Sequence, residues 1–219
     1  MSLIRSLFAT SISDLRNPQQ WLIDSTGGRV TQAGEAVSAE SALAISAYFA
    51  CMHVISEDVG KLPLITYRRL PRGKERAPDH DLYRLLRLQP NQEMHAMTFR
   101  ETLTAWAMGW GDGYAEIERS PGGKPIALYP IHPSRVAVKR NVETQAVYYE
   151  VRSRTGVEQT ILNPMNMLHI HGFGVDGLRG LPISRVGRES IGLSVAAEAF
   201  GATFFGHGAN SNIAVKYPG

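Results

Sequence analysis

The sequence predicts an α+β fold, and three observations support this class. Apolar residues recur at helical spacing after Ser38, and a second helical run follows a Thr-x-x-Glu pattern at Thr98. Short strand-like segments separated by Gly, Asn and Pro then occupy residues 114–171. We therefore expect helices on a short-stranded antiparallel meander, followed by a long projecting helix.

Composition limits the function classes before any motif is considered. Hydrophobic residues make up 43% of the 219 residues and charged residues 20%, as in a folding chain rather than a disordered one. The net charge of +3 is small for a dedicated nucleic-acid-binding protein. The N-terminus lacks the long apolar segment of a signal peptide, and the apolar stretch 41–56 is too short for a membrane span.

The first elements are predicted from residues 1–88. Residues 1–37 have no sustained periodicity and are expected to form an arm. A helix should begin at Ser38 and end near Gly60, with one buried apolar stripe. The stripe comprises Ala44, Tyr48, Cys51, Ile55 and Val59, so the single cysteine should be a buried structural thiol. Residues 64–69 predict a strand, the basic turn after them a solvated loop, and residues 80–88 a short helix.

A second long helix is predicted after a capping box. The Thr98 hydroxyl and the Glu101 carboxylate could each satisfy a free backbone N–H at the helix start. Phe99, Leu103 and Trp106 follow at helical spacing and should enter the core, which we favour over a base-stacking role for the tryptophans. The strands predicted next are residues 114–119, 126–131, 135–139, 147–152, 157–162 and 167–171.

A third helix is predicted from Pro182 to about His207. Its apolar face should contain Ile191, Val195, Ala199 and Ala202. Small residues at Gly192, Ala196 and Gly201 would let another backbone approach closely.

Two patterns raise the possibility of chemistry. The turn at residues 172–177 matches G-x-G-x-x-G through Gly172, Gly174 and Gly177, but no helix starts directly after it, and a flexible connector is favoured over a nucleotide site. His169 and His171 share one strand face at metal-ligand spacing. A third ligand is required, for which only Asp176 is near in sequence and His132 is distant, so an ordinary packing role is favoured. No nucleophile elbow or carboxylate pair is found, and we expect no catalytic residues, no cofactor and no metal.

Several segments occur in an order that is typical of one family. They are ACMHVISEDVGKLPL, LLRLQPN, GDGYAEIER with ALYPIHPSRV, MLHIHGF with a Gly-rich turn, and FFGHGAN. In this order, residues 38–219 resemble the portal proteins of tailed bacteriophages and prophages, the head–tail connector family.

The resemblance implies a non-enzymatic subunit of a homo-oligomeric ring, a dodecamer, at one capsid vertex. Double-stranded DNA would pass through its channel during packaging and ejection. Its partners would be the terminase large subunit, the major capsid or scaffold protein, and head-completion or adaptor proteins, without a membrane. The protein would lie in the virion after assembly in the bacterial host cytoplasm.

The resemblance also implies a division of the chain and roles for residues. After the arm, residues 38–181 would be the wing domain, 182–210 the first stem helix and 211–219 the beginning of the clip; the family's remaining parts have no counterpart in these 219 residues. Residues expected at the stem and DNA channel are Arg185, Arg188, Glu189, Glu198, Asn210 and Lys216, and those expected at subunit contacts are Gly192, Ala196 and Gly201. Two alternatives are kept: a metal- or nucleotide-dependent enzyme using His169 and His171 or the turn 172–177, and a phage adaptor that does not contact DNA.

Overall fold

A computed structural model describes residues 29–153, 158–174 and 177–209. The chain divides into two compact units. The larger is Ala39–Gly187, and the smaller combines Met1–Ser38 with Arg188–Gly219, of which residues 29–38 and 188–209 are described. Every helix in the described ranges is too short or too polar to cross a lipid bilayer.

The larger unit contains helices and antiparallel strands, and six of its strands follow one another along the chain. Its helices are α1 (Ala39–Ala42), α2 (Ser46–Lys61), α3 (Asp81–Arg87), α4 (Ala96–Gly109) and α5 (Ile183–Val186). Its strands are β3 (Tyr67–Arg69), β4 (Lys74–Arg76), β5 (Asp112–Arg119), β6 (Pro125–Ile131), β7 (Val136–Arg140), β8 (Val147–Arg152), β9 (Gln159–Leu162) and β10 (Met167–His171). The smaller unit contains the hairpin β1 (Arg29–Val30) and β2 (Ala36–Val37) with helix α6 (Arg188–Gly206). The predicted α+β class is confirmed.

The strands do not form the single meander that was expected. Two three-stranded antiparallel sheets are present, one in the order β7-β8-β9 and the other in the order β10-β5-β6. Strand β10 therefore returns to β5, with His171 opposite Asp112. Strand patterns in the sequence are local and do not encode the partner of each edge, which explains the error. Buried side chains from both sheets, among them Tyr114, Val138 and Tyr149, form one core cluster.

Helix α4 confirms the predicted core residues but not the predicted cap. Phe99 and Leu103 are buried, and Trp106 packs partly buried against the same cluster. The helix begins at Ala96 with His95 at its N-cap, so Thr98 lies within the first turn and the capping-box prediction is wrong. A Thr-x-x-Glu pattern is short enough to occur inside a helix as well as at its start.

The buried face of helix α2 differs from the predicted one. Its buried residues are Met52, Ser56 and Gly60, whereas Cys51 and Ile55 are exposed. Two of the three buried residues are small because α2 packs closely on α4. A Cβ added at Gly60 would lie 3.1 Å from the Glu101 Cβ. The prediction of a buried Cys51 is therefore wrong. Two small residues, Ser56 and Gly60, lie on the face that approaches α4 closely, and Cys51 lies outside that face.

Candidate functional site

The helix predicted from Pro182 onward is divided at Gly187. Helix α5 belongs to the larger unit and α6 to the smaller one, and Gly187 between them has φ −90° and ψ 16°. The expected stem helix is therefore represented by α6 together with a separate short turn of helix.

The N-terminal half of α6 packs on the β1–β2 hairpin. Gly192 is buried, and a Cβ added there would lie 2.5 Å from both Cγ2 and Oγ1 of Thr31. The backbone N–H of Gln32 donates to Glu189 Oε2 over 3.0 Å. Gly192 and Glu189, which the sequence placed at subunit contacts and the channel, thus make a contact within the chain.

One side of α6 leaves an apolar stripe in solvent. Leu193, Ala197, Phe200 and Phe204 recur at steps of four, three and four, and all four are exposed; this set is called the α6 stripe below. Of the predicted apolar face, Ile191 is buried, Val195 is half-buried, and Ala199 and Ala202 are exposed. The stripe lies on the side of the helix away from Ile191, and its spacing in the sequence was the signal that could have identified it.

The remaining predicted stem residues are divided between the two units. Arg185 and Glu198 are exposed on different helices, while Arg188 is half-buried. Ala196 is half-buried, and within the described residues a Cβ built at Gly201 would meet no atom within 4 Å beyond its own helix backbone and chain neighbours. Asn210 and Lys216 lie outside the described residues.

A cluster of chemically competent side chains occurs instead on the β10–β5 sheet. Antiparallel register places Asp112 opposite His171 and Tyr114 opposite His169, so all four side chains project from one face. His169 Nε2 lies 3.1 Å from Asp112 Oδ1, and His171 Nδ1 lies 3.8 Å from the same oxygen. Asp112 and His169 are buried side chains, whereas His171 is half-exposed. Sequence analysis missed Asp112 because the strand pairing that brings it to the histidines joins segments that are distant in sequence. The local sequence Gly-Asp-Gly-Tyr at the start of a buried strand was the feature that could have drawn attention to it.

Hydrogen bonds fix the carboxylate of this cluster. Asp112 Oδ1 accepts the Gly180 N–H over 3.0 Å, and Asp112 Oδ2 accepts the Tyr114 hydroxyl over 3.2 Å. Burial by itself raises the pKa of Asp112, but the adjacent His169 ring and the Gly180 N–H outweigh it, so that pKa is lowered. Burial, reinforced by the Asp112 charge, raises the pKa of Tyr114 and keeps it a donor.

The Gly-rich turn has a packing explanation. A Cβ at Gly172 would clash with the Gly111 carbonyl oxygen, and one at Gly174 would clash with the carbonyl oxygen of Arg179. The Gly172 N–H already donates to the Gly111 carbonyl over 2.8 Å. These glycines permit backbone to pack on backbone, and this geometry does not favour the nucleotide alternative.

The tryptophans also have a packing explanation. Trp106 and Trp110 both contact the His132 ring edge-on, at centroid distances of 5.2 and 4.9 Å. The Trp110 indole N–H donates to Glu40 Oε1 over 3.0 Å. Both rings are thereby engaged within the larger unit, as the core interpretation predicted, and burial lowers the pKa of His132.

Comparison with solved structures concerns the fold. The chain is similar to the neck of a native gene transfer agent (GTA) particle computed with C12 symmetry, with a TM-score of 0.63 and 18% identity over 80% of this chain and 44% of that one. At this identity the likeness concerns the fold, which is a mixed helical and antiparallel architecture found in a particle neck.

Sequence comparison then gives the family. The phage portal protein family model matches residues 46–219, and the chain belongs to that family. It is 33% identical over 177 residues to the portal protein of Enterobacteria phage HK97, covering 80% of this chain and 41% of that relative. It is 30% identical over 208 residues to the probable portal protein of Streptomyces phage phiC31, covering 88% of this chain and 43% of that relative. The chain therefore spans less than half the length of these relatives.

Proposed function

We propose that the protein is a structural subunit of a portal ring at a phage capsid vertex, through which double-stranded DNA is packaged and ejected. The observation that carries the proposal is the portal-family match over residues 46–219. The named relatives are portal proteins, and the similar neck was computed with twelve-fold symmetry, which supports a dodecamer in the virion. The enzyme alternatives are not favoured, since the Gly-rich turn is engaged in packing and the relatives are portal proteins.

Helix α6 is the proposed stem helix, and the α6 stripe is its contact with the next subunit. Phe200 is 74% exposed, and a contiguous apolar patch of this kind marks an interaction site rather than a stable solvent surface. In a closed ring each subunit presents this face to a different face of its neighbour. Ala196 and Gly201 lie on the same helix and would permit close approach of the neighbouring backbone.

A channel for DNA must not trap the polyanion. Every basic residue that lines the channel is repeated in each subunit of the ring. Each contact between such a residue and a phosphate strengthens the binding of DNA to the channel. Arg188 and Glu198 give α6 charges of both signs, which suits sliding better than a uniformly basic face. We place Arg185, Arg188 and Glu198 among the channel candidates, and Ala39–Gly187 as the wing unit that docks capsid and terminase partners.

Electron microscopy of the purified protein tests the proposal. The unaltered protein should form rings with an axial hole wide enough for a DNA duplex. Phe200→Ser should remove the rings, because a buried aromatic anchor dominates such contacts, while cooperative unfolding of the subunit is retained. Gly201→Leu should impair rings more than subunit folding.

Phe205→Ser is the matched control. Phe205 is also 74% exposed but lies on another side of α6, outside the stripe. Rings should persist in this variant. Equal damage from Phe200→Ser and Phe205→Ser would refute the stripe, and the absence of any ring from the unaltered protein would refute the portal function.

A further inference from the structure

We propose that Asp112, His169 and His171 form a binding site for a divalent transition metal ion, for which Zn²⁺ is the reference ion. The bound ion would fasten the end of β10 to the start of β5. Sequence analysis found two histidines and, as a third ligand near them in sequence, only Asp176, which lies outside the described residues. The sheet register supplies a third ligand, since Asp112 is paired directly with His171.

The distances between ligand atoms suit one shared ion. A tetrahedral zinc ion with bonds of about 2.0–2.1 Å places neighbouring ligand atoms about 3.3 Å apart. The Asp112 oxygen lies 3.1 Å from His169 Nε2 and 3.8 Å from His171 Nδ1. One ligand atom from each of the three residues lies within 4.8 Å of the others. Small rotations of the half-exposed His171 ring would complete this geometry.

A buried nitrogen without a hydrogen bond supports the site independently. His169 Nε2 is buried and makes no hydrogen bond of normal geometry with any residue in the described ranges, although it lies close to the Asp112 carboxylate. Such atoms are rare, because leaving a buried polar atom unpaired is costly. Two ligands that face a common centre give this combination of a short separation and poor hydrogen-bond alignment.

The surrounding residues supply the outer contacts that metal ligands need. His169 Nδ1 lies 3.1 Å from the Tyr149 hydroxyl, which can accept its N–H and leave Nε2 as the free lone pair. The Gly180 N–H and the Tyr114 hydroxyl already orient the Asp112 carboxylate. Two imidazoles and one carboxylate leave a fourth position for water on the exposed side of His171.

Zinc titration of the metal-stripped 219-residue chain by calorimetry tests this site. The unaltered chain should bind one Zn²⁺, and Zn²⁺ should raise its melting temperature because a ligand of the folded state stabilises that state. His171→Ala should lower the zinc affinity at least tenfold without unfolding the chain, since His171 is half-exposed. Tyr149→Phe keeps the ring and removes only the hydroxyl, and it should weaken binding by about 10–100-fold.

His95→Ala is the matched control, because His95 is an exposed histidine outside the cluster. Its zinc affinity should equal that of the unaltered chain. Substitution with Co²⁺ should give the visible absorption of a four-coordinate site, lost in His171→Ala. The proposal is overturned if the unaltered chain binds no zinc, or if binding is unchanged by both His171→Ala and Tyr149→Phe.

Discussion

Helices α4 and α6 carry the same kind of apolar stripe, yet the two stripes have opposite surroundings. On α4, Leu103 is 1% exposed within a core cluster. On α6, Leu193 is 64% exposed in a stripe with the same spacing. An apolar stripe at helical spacing therefore predicts a helix but does not by itself tell whether the stripe is buried within the chain.

The two leucines make this comparison measurable. Leu103→Ala should lower the free energy of unfolding of the unassembled chain by about 2–5 kcal/mol, because it leaves a cavity in a close-packed core. Leu193→Ala should lower the free energy of unfolding by less than about 0.5 kcal/mol, because the Leu193 side chain is mostly exposed in the unassembled chain. Urea denaturation of both variants checks the difference. Comparable losses would mean that the α6 stripe is covered within the chain.

The same contrast explains how much of the fold the sequence could predict. Local periodicity placed α4, β8 and β10 well, since it depends only on residues within one element. It misplaced the buried face of α2, because the small residues Ser56 and Gly60 are buried for their size rather than for their hydrophobicity. Cys51 and Ile55 continue an apolar pattern, but the structure leaves both residues exposed rather than in the core.

The candidate sites were less predictable than the fold because they depend on pairing between distant segments. His169 and His171 could be singled out from their spacing, but Asp112 joins them only through the β10–β5 register. Gly192 could be identified as a close-approach position, but its partner Thr31 lies on a hairpin inside the region expected to be an arm. The sequence indicated both positions, but it did not indicate that Asp112 and Thr31 lie beside them.

Gly192 and Gly201 extend the comparison to two positions of one helix. Gly192→Ala places a methyl group against Thr31 and should destabilise the chain by about 1–3 kcal/mol through overpacking. Gly201→Ala meets open space and should stabilise α6 by up to about 1 kcal/mol. Chemical denaturation of the unassembled variants provides both values.

A double-mutant cycle separates this contact from a general helix effect. Thr31→Ala shortens the side chain that the new methyl group meets, so the double variant should be less destabilised than the sum of the single ones. Strict additivity would show that Gly192 is small for a reason other than Thr31.

The smallest expected effect is at Cys51, on the exposed side of α2. Cys51→Ser should change the free energy of unfolding by no more than about 0.5 kcal/mol, as at an ordinary surface position. Its neighbour Met52 is buried, and Met52→Ala should lower the free energy of unfolding by about 2–5 kcal/mol.

Thiol labelling of Cys51 in the folded, unassembled chain should proceed at the rate of an accessible cysteine, whereas a buried thiol would react only on unfolding. Labelling that is fast in the unassembled chain and slow in the ring would place the exposed face of α2 at a contact between subunits. Equally fast labelling in both states would exclude Cys51 from the subunit interface.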